Sequence, residues 1–165
     1  MNALVLLKQD HNNVDALFSE FEQMGDKAHK AKRRVVDHIV EQLSVHAAIE
    51  EMVLYPAVRA KLSESQPEVL EALEEHHVVK WTLSELEGMD PKAERFDAKV
   101  TVLAEMVRHH VEEEEGELFD LMRQAFTNQE LEQLGQRLED AKATAPTRPH
   151  PRVPDSPPLN VLLGV

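Results

Sequence analysis

At 165 residues the chain is long enough for one domain with a buried core and hardly long enough for two. It has no cysteine, which excludes disulfides, thiolate metal ligands and thiol catalysis; any metal must sit on histidine, carboxylate or water. A formal net charge of −13 argues against a nucleic-acid partner, because phosphate contacts need clustered Lys and Arg, and it draws cations toward the protein.

The amino terminus has an apolar run from Ala3 to Leu7 without a basic start or a small-residue cleavage pattern, so no signal peptide is expected. No apolar stretch approaches the ~20 residues that span a bilayer, which leaves no membrane partner and a cytoplasmic protein as the expectation. Almost every long segment shows helical periodicity, and none alternates convincingly as a strand. The first helix is expected over roughly 2–24, with Leu4, Leu7, His11, Val14, Leu17, Phe18 and Phe21 on one side and Gly25 ending it. A basic, polar turn over 27–34 leads to a second helix carrying Val35, Ile39, Leu43, His46, Ile49, Glu50, Val53 and Leu54. Pro56 lies inside that stretch, cannot donate to Met52, and should kink the helix one turn beyond Glu50.

A break comes next over 63–67, where Ser65-Gln-Pro-Glu68 reads as a capping box opening a third helix. That helix carries Leu70, Leu73, His76, Val79, Leu83 and Leu86 and stops at Gly88. Asp90-Pro91 supplies an N-cap and a first-turn proline for a fourth helix, with Phe96, Val100, Leu103, Met106, Val107, His110, Glu114, Leu118 and Leu121. Thr127-Asn-Gln-Glu130, a second capping box, starts a shorter fifth helix through Leu131, Leu134 and Leu138 to about Ala143. From Ala145 six of the nine prolines crowd into a tail that cannot be helical and should lie extended, with the apolar stretch from Leu159 to Leu163 free to dock. The expected organisation is all-α: a four-helix bundle over 1–126, an accessory helix over 127–144 and a Pro-rich tail over 145–165.

One pattern occurs twice, His46-Ala-Ala-Ile-Glu50-Glu51 and His110-Val-Glu-Glu-Glu114-Glu115, each running on at the same offset into a leucine and a ring, Leu54-Tyr55 and Leu118-Phe119. A simpler pair, acid then histidine, also repeats as Asp10-His11 and Glu75-His76. The two patterns alternate, with 35 residues from His11 to His46 and 34 from His76 to His110. This is the duplication of a helix pair, each half bearing two histidines and a carboxylate. Four residues along a helix return to the same face, so His46 with Glu50 and His110 with Glu114 project together. Four packed helices would gather His11, His46, Glu50, His76, His110 and Glu114 around two metal ions, with the glutamates able to bridge. Six protein ligands leave room for an oxo or hydroxo bridge and an exogenous molecule, and nitrogen–oxygen ligation without sulfur suits iron or manganese, with zinc possible.

The histidines sit among apolar neighbours, where an imidazole needs a partner. His77 and His109 adjoin the favoured ligands and are alternatives to them; Glu113, three residues after His110, is another. His29, His38 and His150 read as surface residues or as supports behind the ligands. Glu51, Glu112, Glu113, Glu115 and Glu117 read as a solvated face. Tyr55 and Phe119 read as core, Tyr55 because five residues beyond Glu50 should carry it off the ligand face.

These motifs resemble the hemerythrin-like, or HHE cation-binding, family over about Met1 to Met122. The resemblance implies an up-down-up-down bundle and a non-haem centre of two iron ions. His11 would be the first-helix ligand, His46 and Glu50 the second-helix pair, His76 the third-helix ligand, and His110 and Glu114 the fourth-helix pair. Two departures stand out. Oxygen-carrying members have a further histidine four residues after the third-helix ligand, where this chain has Lys80, and they use a longer His-to-Asp spacing on the fourth helix. The resemblance therefore implies redox chemistry with a small oxidant (O2, H2O2 or NO) in sensing or peroxide detoxification rather than reversible oxygen carriage. The alternative is a non-catalytic module that stores or donates iron. A ferritin-like carboxylate enzyme fits poorly, because its Glu-x-x-His pattern would need glutamate where Leu43 and Val107 stand.

Overall fold

A computed structural model describes residues 1–62 and 66–151, so the proposed Ser65 capping box and the tail beyond Pro151 lie outside the described residues. Among the described residues the regular structure is entirely helical: α1 (Ala3–Glu22), α2 (His29–Ile49), α3 (Tyr55–Lys61), α4 (Gln66–Glu87), α5 (Phe96–Glu113), α6 (Phe119–Ala125) and α7 (Asn128–Lys142). No helix here is long and apolar enough to cross a membrane. α2 runs into α3, and α5 into α6, through π-helical turns at Glu50–Leu54 and Glu114–Leu118. Asn2 caps α1 by accepting from the Leu4 N–H at 2.9 Å. Thr127 and Glu130 form the reciprocal capping box expected at α7.

Two sequence expectations change. Asp90 does not cap the fourth helix; it organises a turn, accepting from Lys92 N at 2.8 Å and Ala93 N at 2.9 Å, and α5 begins only at Phe96. Pro56 does not open the helix by itself. It occupies the first turn of α3, where a backbone N–H is dispensable, and the helix has already widened before it. The matching π-turn at Glu114–Leu118 leads to Asp120 at the proline's position, so the widening belongs to the repeat and not to the proline.

α1 packs on α2 and α5, and α4 packs on the same two helices, so the four long helices close a ring. The apolar interior divides into two blocks. One, built on Leu7, Ile49, Leu54, Phe119 and Met122, lies toward the π-turns; the other, built on Phe18, Ile39, Leu83, Phe96 and Leu103, lies toward the opposite end. Along each long helix the switch from one block to the other falls at a histidine. α7 lies across α1, α2 and the first π-turn. Gly135 makes that approach possible, because a Cβ there would stand 2.0 Å from the Met1 carbonyl oxygen.

Candidate metal centre

The π-turns set the register of the centre. Tyr55 N–H bonds to the Glu50 carbonyl and Phe119 N–H to that of Glu114, five residues back instead of four. One extra residue in a turn rotates every later side chain by about 100° relative to a regular helix. The ring at the fifth position after each glutamate thus swings onto the ligand face. Tyr55 is accordingly not plain core: it is 1% exposed, and its hydroxyl lies 3.3 Å from His76 Nε2 and 3.4 Å from Glu114 Oε1, to which it donates. Phe119, in the equivalent place, stacks on His11 with centroids 6.2 Å apart.

The structure brings all six spacing-selected residues together, each at most 6% exposed. His11, His46, Glu50 and Glu114 offer ligand atoms within 4.8 Å of one another, and Glu50, His76 and His110 form a second such group. Glu50 joins the groups, with Oε1 3.1 Å from His46 Nε2 and Oε2 3.3 Å from His76 Nε2. Glu114 spans similarly, its Oε2 lying 3.3 Å from His11 Nε2 and its Oε1 facing Tyr55. The inward nitrogens meet in pairs, His11 with His46 at 3.1 Å and His76 with His110 at 3.3 Å.

Behind each imidazole stands a carboxylate facing Nδ1. Glu115 lies 2.9 Å from His11, Glu51 3.1 Å from His76 and Glu75 2.6 Å from His110, while Asp10 stands 3.7 Å from His46. The arrangement repeats with the duplication: Asp10 and Glu75 serve the histidine of the next helix in their own half, Glu51 and Glu115 that of the other half. Three of the four carry a lysine, Lys142 on Asp10 at 2.6 Å, Lys80 on Glu51 at 2.8 Å and Lys8 on Glu115 at 2.9 Å. Glu51 and Glu115 are therefore not part of a solvated face. The doubled glutamate ending each HxxxEE repeat was the available signal for them.

The electrostatics ask for cations. An outer carboxylate at Nδ1 holds the imidazole proton on that side and turns the Nε2 lone pair inward. Four such lone pairs would then converge on two carboxylates with, among the described residues, no donor but the Tyr55 hydroxyl. Protons alone can relieve this: burial works against a charged His46, yet Glu50, Asp10 and Glu114 outweigh it and raise its pKa to about 10. His76 shows the same contest, burial against Glu50 and Glu51, and rises to about 9. Burial likewise opposes ionisation of Glu50, but His46 and His76 hold it well below the usual carboxylate range. Both Glu50 oxygens and Glu114 Oε2 are nonetheless buried without a properly aligned hydrogen bond. A buried anion left so costs several kcal/mol, and metal ions on the four imidazoles and two carboxylates would remove that cost. The residues fit the group.

A cavity of about 20 Å³ lies against the four histidines, walled by Val14, Leu43, Ala47, Val79, Val107 and Val111. It has room for about one water-sized molecule. The other candidates fall outside the centre. His77 and His38 are exposed, His29 Nδ1 donates to the Pro91 carbonyl at 3.2 Å, and His150 is exposed. His109 and Glu113 pair with each other at 3.2 Å near the surface. Lys80 is buried against Glu51 and supports the carboxylate behind His76.

Comparison with known proteins agrees with the geometry. A profile of the Hemerythrin HHE cation binding domain matches residues 2–122. A Nostoc protein named DNA nickase is 32% identical over 143 residues, a match covering 87% of this chain and 40% of that protein. The chain thus spans about two fifths of that relative's length. An uncharacterized hemerythrin-like protein of Schizosaccharomyces pombe is 25% identical over 158 residues, covering 95% of this chain and 77% of that one. The crystal structure of a hemerythrin HHE cation binding domain-containing protein from Mycobacterium kansasii matches with a TM-score of 0.72 at 23% identity, covering 87% of this chain and 88% of the other. At that identity the likeness speaks for the helical fold.

Proposed function

The chain belongs to the hemerythrin HHE cation-binding family, and from that footing we propose that its six central residues hold two metal ions, iron by preference, that react with a small oxidant such as O2, H2O2 or NO. The observation that carries this reading is Glu50: a fully buried carboxylate, 0% exposed, whose two oxygens reach imidazoles of two different groups and have no aligned hydrogen bond of their own. Two cations held by the six residues, with Glu50 serving both groups, would explain both facts. When bound, the iron pair supplies one-electron steps between ferrous and ferric states. The helices would alternate in direction, with 1–126 as the metal-holding unit and 127–144 as an accessory helix.

The protein's own residues do the rest. His11, His46, His76 and His110 are aimed inward by their outer carboxylates, which fixes the tautomer and strengthens the imidazole as a donor. The valine-rich wall excludes bulky molecules, and its cavity of about 20 Å³ has room for a small molecule and not for an organic substrate. Among the described residues the Tyr55 hydroxyl is the one donor aimed at the second group, and it stays protonated: burial, then Glu50 and Glu114, raise its pKa well above that of a free phenol. It is placed to give a hydrogen bond or a proton to a molecule in the centre. The −13 charge supports a reading without nucleic acid for this chain, whatever its longer relative does.

A storage or donation role is the second reading, favoured by the acidic surface and opposed by the burial of every ligand. Elemental analysis of protein reconstituted anaerobically with Fe(II) should give about two irons per chain, and peroxide consumption then separates the readings. Stable iron with rapid turnover supports redox chemistry, and stable iron with negligible turnover supports storage. A protein that retains no metal overturns both.

A further inference from the structure

The four carboxylates behind the imidazoles do not hold them equally, and the lysines follow the same order. Glu75, with no lysine on it among the described residues, stands 2.6 Å from His110 Nδ1. Glu115 stands 2.9 Å from His11 through Oε1 and keeps Lys8 on its other oxygen, Oε2. Glu51 offers one atom, Oε1, to both His76 at 3.1 Å and Lys80 at 2.8 Å, and Lys80 also reaches Oε2 at 2.9 Å. Asp10 is drawn furthest. Lys142 holds its Oδ1 at 2.7 Å and its Oδ2 at 2.6 Å, and Oδ2 is left 3.7 Å from His46 Nδ1. That nitrogen is buried without an aligned hydrogen bond.

On the footing that the centre holds metal, we propose that Lys142 and Lys80 are positioning residues that draw Asp10 and Glu51 away from His46 and His76 and so loosen these two imidazoles as metal donors. A carboxylate on Nδ1 strengthens the imidazole at Nε2. An ammonium on the same oxygen is the stronger claimant, because both partners of that bond are charged. Each ligand group then has one firm imidazole and one yielding one, His11 with His46 and His110 with His76. The yielding pair is also the pair whose Nε2 atoms face Glu50, at 3.1 and 3.3 Å. The Glu50 side of the centre is thus where a ligand gives way most readily, as an incoming molecule or a departing ion requires.

Burial separates the lysines in the same direction. Lys8 is largely exposed, where water screens it, whereas Lys80 is buried and Lys142 half-buried. Reach offers a second explanation at one position alone. Asp10 is a methylene shorter than Glu75, its counterpart in the duplication. Glu51 and Glu115, however, are the same residue at equivalent places, and their distances still differ as their lysines do.

The test is the rate at which full-length protein, loaded anaerobically with Fe(II), gives its iron to an excess of a ferrous chelator. Lys142→Met, Lys80→Met and Lys8→Met each remove one positive charge, and all are compared at equal starting iron content. Lys142→Met and Lys80→Met should release iron about 10-fold more slowly than the parent, while Lys8→Met releases like the parent. Lys142→Arg keeps the charge and should restore the parent's rate. In an Asp10→Asn background, Lys142→Met should no longer slow release, because the coupling runs through that carboxylate. Lys80→Met strands a buried carboxylate, so if its far-ultraviolet helical signal falls, the Lys142 and Asp10 variants decide. Unchanged or faster release from Lys142→Met overturns the proposal, showing that the lysine packs or holds the carboxylate in place. Equal slowing in Lys8→Met, or slowing that persists with Asp10→Asn, overturns it in favour of overall charge. A parent that takes up no iron overturns the centre itself.

Discussion

The two halves of the centre share a backbone and differ in chemistry. Both place a glutamate at the mouth of a π-turn, both aim two imidazoles inward, and both back those imidazoles with carboxylates at matching positions. The first half, however, puts a phenol into the second group through Tyr55, whereas the second half returns only the apolar ring of Phe119 to His11. The carboxylate behind His46 lies beneath α7 with Lys142 on it, while the one behind His110 opens to an acid-lined groove. Duplication supplies a symmetric frame, and single-residue departures from symmetry then tell the two ligand groups apart. One has an apolar ring at its rim and a surface cleft beside Lys142; the other has a phenol donor and an acid-lined groove beside it.

The frame itself breaks with its ligands. Glu114→Ala or His110→Ala should lose most of the iron while the far-ultraviolet helical signal survives, because the two apolar blocks lie on either side of the centre. Elemental analysis of purified variants checks this, and unchanged iron in both would remove the basis of the assignment. Making the halves alike is a finer operation. Tyr55→Phe should keep the iron but slow reaction with peroxide by about 100-fold, the low end for loss of a positioned acid. Stopped-flow kinetics on variants of equal metal content measure it, and an unchanged rate would make Tyr55 a packing residue. Asp10→Asn and Glu75→Gln probe the outer carboxylates. Each should weaken metal binding about 10- to 100-fold, with Glu75→Gln the more severe because its 2.6 Å contact to His110 is the shortest of the four. Competition with a chelator of known affinity ranks them.

Helix order, the layer of histidines and the six converging residues were legible because each rests on spacing, which a regular helix translates directly into direction. Tyr55 and the outer carboxylates were not legible, for one shared reason: a π-turn is invisible in periodicity. Counting 100° per residue from Glu50 sends Tyr55 away from the centre, and the extra residue in the turn brings it back. Glu51 and Glu115 look solvated in sequence because acids next to a ligand usually are, and their partners, His76 and His11, come from the opposite half of the chain. Asp90 misleads for a local reason, since the signals for a helix cap and for an isolated Asx turn are the same until backbone hydrogen bonds distinguish them.

Removing the cover from the first half is the gentlest way to make it resemble the second. α7 sits on α1 because Gly135 lets the two backbones approach, and a methyl group there would meet the Met1 carbonyl oxygen and the Ala3 nitrogen, both backbone atoms. Neither can rotate aside, so Gly135→Ala should cost about 1–3 kcal/mol as overpacking, offset by the few tenths to 1 kcal/mol that alanine gains over glycine within a helix. The loss falls on the docking of α7 and not on the ring of four helices. Amide exchange should therefore quicken in α7 and in the first residues of α1, while protection around Ile39 and Leu103 is unchanged. With α7 loosened, Lys142 leaves Asp10, and the carboxylate behind His46 stands without a lysine like Glu75. Uniform loss of protection through the bundle would show instead that α7 is integral to the fold, and that the two halves are held unequal by the whole molecule rather than by one helix.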